Sequence, residues 1–115
     1  MKLDSETFLK LQTLLGKIDG LSLQSWIRTE QKNIAVGGAP KSWHKLGKAV
    51  DLEFDNLDVA IKAAREAKAL GFSGIEVDLT DNHIHVDTRT TKPWHVVITK
   101  DGDEIPLSHW LPEEI

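Results

Sequence analysis

The chain of 115 residues contains no cysteine. That absence excludes disulfides and every thiolate metal site, so a metal centre here has to be built from imidazole and carboxylate. No stretch approaches the roughly 20 consecutive apolar residues a membrane-spanning helix needs. The opening MKLDSETFLKLQTLLGKIDG lacks the unbroken apolar core of a secretory leader. The chain is therefore expected to be cytoplasmic as synthesised, with no membrane partner, reaching any outside target only after release. Basic residues are also in short supply, with 14 Lys and Arg against 18 Asp and Glu and a net charge of −4. That balance argues against a nucleic-acid backbone as partner. Repeats, low-complexity tracts and linkers are absent too.

What is present suits one domain over residues 1–115. The apolar share of 40% supports a packed core rather than disorder. At this length roughly two-thirds of the unfolded surface is buried on folding. Asp4 or Ser5 can cap a first helix, with Glu6 and Thr7 in its first turn. Phe8, Leu11, Leu15 and Ile18 then recur at helical spacing, which predicts one core-facing stripe ending at Gly20. LSLQSWIRT reads as a short strand or an extended entry, with Trp26 in the core, and AVGGAP as a loop. KAVDLEF alternates Val50, Leu52 and Phe54 against Ala49, Asp51 and Glu53, a half-buried strand with Asp51 on the less apolar face. Asp55 or Asn56 can cap a second helix, alanine-rich and closed by Gly71. SGIEVDLTDNHIHVDT predicts a hairpin that turns through Thr80, Asp81 and Asn82. WHVVITKDGDEIPL predicts another, with Asp101 and Gly102 at its tip. Helices and antiparallel strands in this order indicate an α+β fold, a small antiparallel sheet with flanking helices.

Two stretches carry chemistry. In HIHVD, His83, His85 and Asp87 alternate with Ile84 and Val86, so both imidazoles and the carboxylate share one face of a strand. Such a pair can equally be solvated surface. In SWHKLGKAVD, His44 and Asp51 stand seven positions apart with Gly47 and Ala49 between them. Small residues there let the turn fold back so that the two side chains meet. His44, Asp51 and His85 together would make a three-ligand site with an open fourth position, the pattern of catalytic rather than structural zinc. Zinc in such a site lowers the pKa of bound water to about 7.

SWHKLGKAVD fits S-x-H-x-x-G-x-A-x-D at every position and resembles the first zinc motif of the M15-type D-Ala-D-Ala peptidases. That family includes carboxypeptidases, dipeptidases, phage endolysins and murein endopeptidases, and the hedgehog signalling domain shares its fold. HIHVDTR is similar to the H-V-D segment of short bacterial and phage-type members, and its HIH to the hedgehog strand. RTEQKNIAVGGAPKSWH resembles the R-[ST]-x-x-x-N-x-x-V-G-G-A-x-x-S-x-H run of the same short members, so the likeness extends over residues 26–94.

The resemblance implies zinc held by His44, Asp51 and His85, and a peptidoglycan stem peptide as substrate. It implies that Arg28 stabilises the developing oxyanion, that Ser42 positions the substrate, and that His83 supports the tetrahedral intermediate or donates a proton. Many members carry an acid three residues before the last ligand, where this chain has Asn82. Asp78, at the end of the first hairpin arm, is the expected general base in its place, with Asp81 in the turn as the alternative. Asp87 is expected to fix a histidine from behind or to pair with Arg89. Trp43 and Trp94 are expected to wall the cleft, and His95 and His109 to be ordinary packing or surface residues. The competing reading, raised by Asn82, is a zinc-binding or structural module of the same fold without turnover.

Overall fold

The computed structural model describes residues 4–25 and 48–112. The first helix, α1, runs Ser5–Lys17, and the Asp4 carboxylate caps it by accepting from the Thr7 amide at 3.2 Å. A turn through Gly20, whose φ of +89° suits glycine, leads into strand β1, Leu21–Ser25. After the undescribed segment come β2, Ala49–Phe54, and helix α2, Leu57–Ala69. The Asn56 side chain caps α2 by accepting from the Val59 amide at 3.1 Å, and Gly71 follows it at φ +85°. Strands β3, Gly74–Asp78, and β4, His83–Asp87, form the expected hairpin. Strands β5, Trp94–Ile98, and β6, Glu104–Pro106, form the next, and the short helix α3, Leu107–Trp110, follows.

Among the described residues six strands make one sheet in the order β1-β2-β4-β3-β5-β6. The class is α+β, as the sequence indicates. One pairing is parallel, β3 with β5, because the chain leaving β4 passes the end of β3 and returns on its far side. The Trp94 amide donates to the Ser73 carbonyl at 2.8 Å to begin that pairing. Alternation then divides each central strand between two faces. Val50, Leu52, Ile75, Val77, Ile84, Val86 and Val97 are fully buried on the face covered by the helices. Ala60, Ala63, Ala64 and Ala67 line the buried side of α2 and let its backbone lie close on that face. The opposite face carries Asp51, Glu53, Glu76, Asp78, His83, His85 and Asp87.

One expectation for α1 needs correction. Its buried positions are Thr7, Leu11 and Leu14, and Phe8 is 47% exposed. The helix is rotated so that the Thr7 hydroxyl meets that of Thr88 at 2.6 Å in the interior. The polar pair satisfies itself there, and Phe8 is turned outward.

Candidate metal centre

The β2–β4 and β3–β4 registers set the polar face in rows. Asp51 lies opposite His85, which lies opposite Glu76. One step along, Glu53 lies opposite His83, which lies opposite Asp78. The structure thus brings two of the expected ligands, Asp51 and His85, side by side from positions 34 residues apart. His85 Nδ1 and Asp51 Oδ1 are 3.1 Å apart, and each side chain is 14% exposed. On the other side of the ring, Nε2 donates to Asp87 Oδ2 at 2.7 Å.

Asp87 is itself firmly held. Arg89 donates to it from its backbone amide at 3.1 Å, from Nε at 2.8 Å and from Nη2 at 2.6 Å. Both roles expected of Asp87, backing a histidine and pairing with Arg89, are met at once. Burial pushes the Asp87 carboxyl up, but the Arg89 hydrogen bonds and then His85 outweigh it and hold the group well below the usual range. At His85, burial works against the charged ring, yet the hydrogen bonds to Asp51 and Asp87 prevail and raise its pKa to about 9. The two carboxylates that favour a proton on this ring would equally favour a cation.

The two described donors, Asp51 and His85, are of the types that hold zinc. A carboxylate oxygen and an imidazole nitrogen converge, and the second ring nitrogen is anchored by a carboxylate, the usual outer partner of a metal-bound histidine. His44, the expected third ligand, lies outside the described residues, as do Arg28, Ser42, Trp26 and Trp43.

At the hairpin end, His83 Nδ1 pairs with Asp81 Oδ1. Asp78 Oδ1 accepts from the Thr80 amide at 2.9 Å and the Thr80 hydroxyl at 2.5 Å, closing the turn. Among the described residues, Asp78, Asp81 and His83 offer ligand atoms all within 4.8 Å of one another, a second grouping with metal-binding spacing. Asn82 has φ 58°, a left-handed position that asparagine tolerates better than β-branched residues do.

Glu76 is the residue that sequence reading passed over. Burial raises its pKa, and the attraction of His85 and then His83 only partly offsets that. The alternation of Gly74, Glu76 and Asp78 signals a polar face, but nothing local signals that Glu76 falls opposite His85. His95 behaves as an ordinary packing residue, its Nε2 donating to the Phe72 carbonyl at 3.0 Å, and His109 is exposed on α3.

A family model described as Peptidase M15 matches residues 3–87. No curated protein matches the chain.

Proposed function

We propose, from the premise that the chain belongs to the peptidase M15 family of metallopeptidases, that it is a zinc-dependent peptidase hydrolysing peptidoglycan stem peptides. The observation that carries the reading is the Asp51–His85 pair, backed by Asp87, on the polar face of the sheet. His44 would complete the ligand set. Bound zinc supplies a Lewis acid and a water acidic enough to be a nucleophile near neutral pH.

The other roles fall to further residues of the chain. Arg28 holds the substrate carbonyl and balances charge on its oxygen, and Ser42 orients the chain end. His83 stands two residues from His85 on the same face, which supports a role in steadying the same oxygen or passing a proton to the leaving amine. Proton abstraction falls to an acid of β3. Asp78 has one carboxylate oxygen engaged by Thr80, whereas Glu76 stands in the same row as Asp51 and His85. The register supports Glu76 as the base, with Asp78 as the alternative.

Metal analysis of the purified protein, followed by mass spectrometry of digested peptidoglycan, tests the reading. One tightly held zinc, lost in His85→Ala, and a defined cleaved peptide bond are expected. No zinc in the reconstituted wild type would overturn it. Zinc without any cleavage would leave a metal-binding module of this fold.

A further inference from the structure

We propose that Gly74, Arg89 and Trp94 are positioning residues for His85: they clamp the Asp87 carboxylate against Nε2 of the ring and so aim Nδ1 at the metal. The proposal rests on the reading of His85 as a zinc ligand.

Gly74 is the first piece. It lies opposite Asp87 in the β3–β4 register. A Cβ placed on it would sit 2.1 Å from Asp87 Oδ1 and 2.2 Å from Oδ2, so the carboxylate occupies the volume a side chain would need. Among the described residues the glycines with positive φ are 20, 71 and 102, so the Gly74 backbone does not require glycine. A glycine inside a strand weakens it, and here the close approach of the Asp87 side chain accounts for its presence.

Arg89 is the second piece. Its planar guanidinium grips both carboxylate oxygens through Nε and Nη2, which sets the plane as well as the place of the group. Trp94 is the third. It neighbours Gly74 on the other side, in the β3–β5 register, so Asp87, Gly74 and Trp94 form one row across three strands. The Arg89 guanidinium lies over the Trp94 ring at 4.9 Å from its centroid, which holds the fork from its outer side. Asp87 is left 0% exposed. Through it, Nε2 is fixed and Nδ1 is the nitrogen left on the Asp51 side. A ring anchored in this way cannot turn to present the wrong nitrogen.

The test is zinc affinity at pH 7, measured by competition with a chromophoric chelator, with the urea midpoint of each metal-free variant recorded beside it. Gly74→Ala and Trp94→Ala should each weaken zinc by about 10- to 100-fold, as loss of an outer-shell partner does. Trp94→Phe, which keeps a ring face, should recover most of the loss, and Arg89→Lys, which keeps charge without the fork, should not. Gly74→Ala added to Asp87→Ala should weaken zinc no further than Asp87→Ala alone, because both act through one carboxylate. In the zinc form, nitrogen NMR should show Nδ1 of His85 as the bound nitrogen in the wild type and a mixture in Gly74→Ala. Should Gly74→Ala not fold, the Trp94 and Arg89 variants decide alone. Wild-type zinc affinity in Trp94→Ala and Arg89→Lys, or additive losses in the double variant, overturns the proposal and leaves the metal reading standing. Absence of zinc binding in the wild type, or binding that His85→Ala leaves unchanged, overturns both.

Discussion

Asp51 and His85 face each other across β2 and β4, their side chains meeting at 3.1 Å, and the ring is held from behind by Asp87 at 2.7 Å. A histidine between two carboxylates is a strong proton site, and competition between proton and metal for that nitrogen leads to the first prediction.

In the metal-free protein, His85 has a folded-state pKa of about 9 against 6.5 for the free side chain. A raised pKa means stability that is complete below 6.5 and is lost as pH rises through 9. Asp87 is depressed from 3.8, so its contribution is present above that value and is lost as pH falls. Urea midpoints of the metal-free chain should therefore be highest between about pH 4 and 6.5 and fall toward both ends. His85→Ala should remove the alkaline slope. Saturating zinc should suppress it too, since the ion takes the place of the proton on Nδ1.

Glu76→Gln should separate stability from activity. Burial raises the pKa of this acid, so its charge opposes folding above that pKa. The amide removes the charge, and the metal-free variant should show a higher urea midpoint at pH 7 than the wild type. If Glu76 accepts the proton in peptide hydrolysis, kcat should fall by about 10² or more, the scale of general-base catalysis. Asp78→Asn should then cost far less activity. The opposite ranking of the two variants would return the base to Asp78.

Asn82 at φ 58° makes a backbone prediction. Asn82→Gly should leave the melting temperature nearly unchanged, while Asn82→Val should destabilise by about 1–2 kcal/mol, the cost of a branched side chain in a left-handed conformation. Neither should alter zinc content, which places this residue in the turn and outside the chemistry. Metal analysis beside calorimetry checks both statements.

Thr7 and Thr88 share a buried hydrogen bond of 2.6 Å between α1 and the residue that follows β4. Thr7→Val leaves the Thr88 hydroxyl without that partner and should cost about 1–3 kcal/mol. Replacing both by valine should cost less than the sum of the single changes, because no hydroxyl is then stranded. Chemical denaturation of the four proteins in the cycle measures the difference.

Much of this molecule was legible locally. Caps at Asp4 and Asn56, the turn at Asp101–Gly102, and alternation in KAVDLEF and HIHVD depend on neighbours within a few residues, and these elements form as read. The face shared by His83, His85 and Asp87 follows from the period of a strand alone. So does the separation of Asp51 from Val50 and Leu52. What the alternation of residues could not supply is register. Which acid meets which histidine depends on how β2, β3 and β4 align, and that alignment is set by packing Val50, Leu52, Ile75, Val77, Ile84 and Val86 under the helices. It puts Glu76 opposite His85 and Asp78 opposite His83. The outward rotation of Phe8, the parallel return of β5, and the room that Gly74 leaves for the Asp87 carboxylate were likewise decided only in three dimensions. Each is a contact between segments far apart in the chain, and no local preference encodes it.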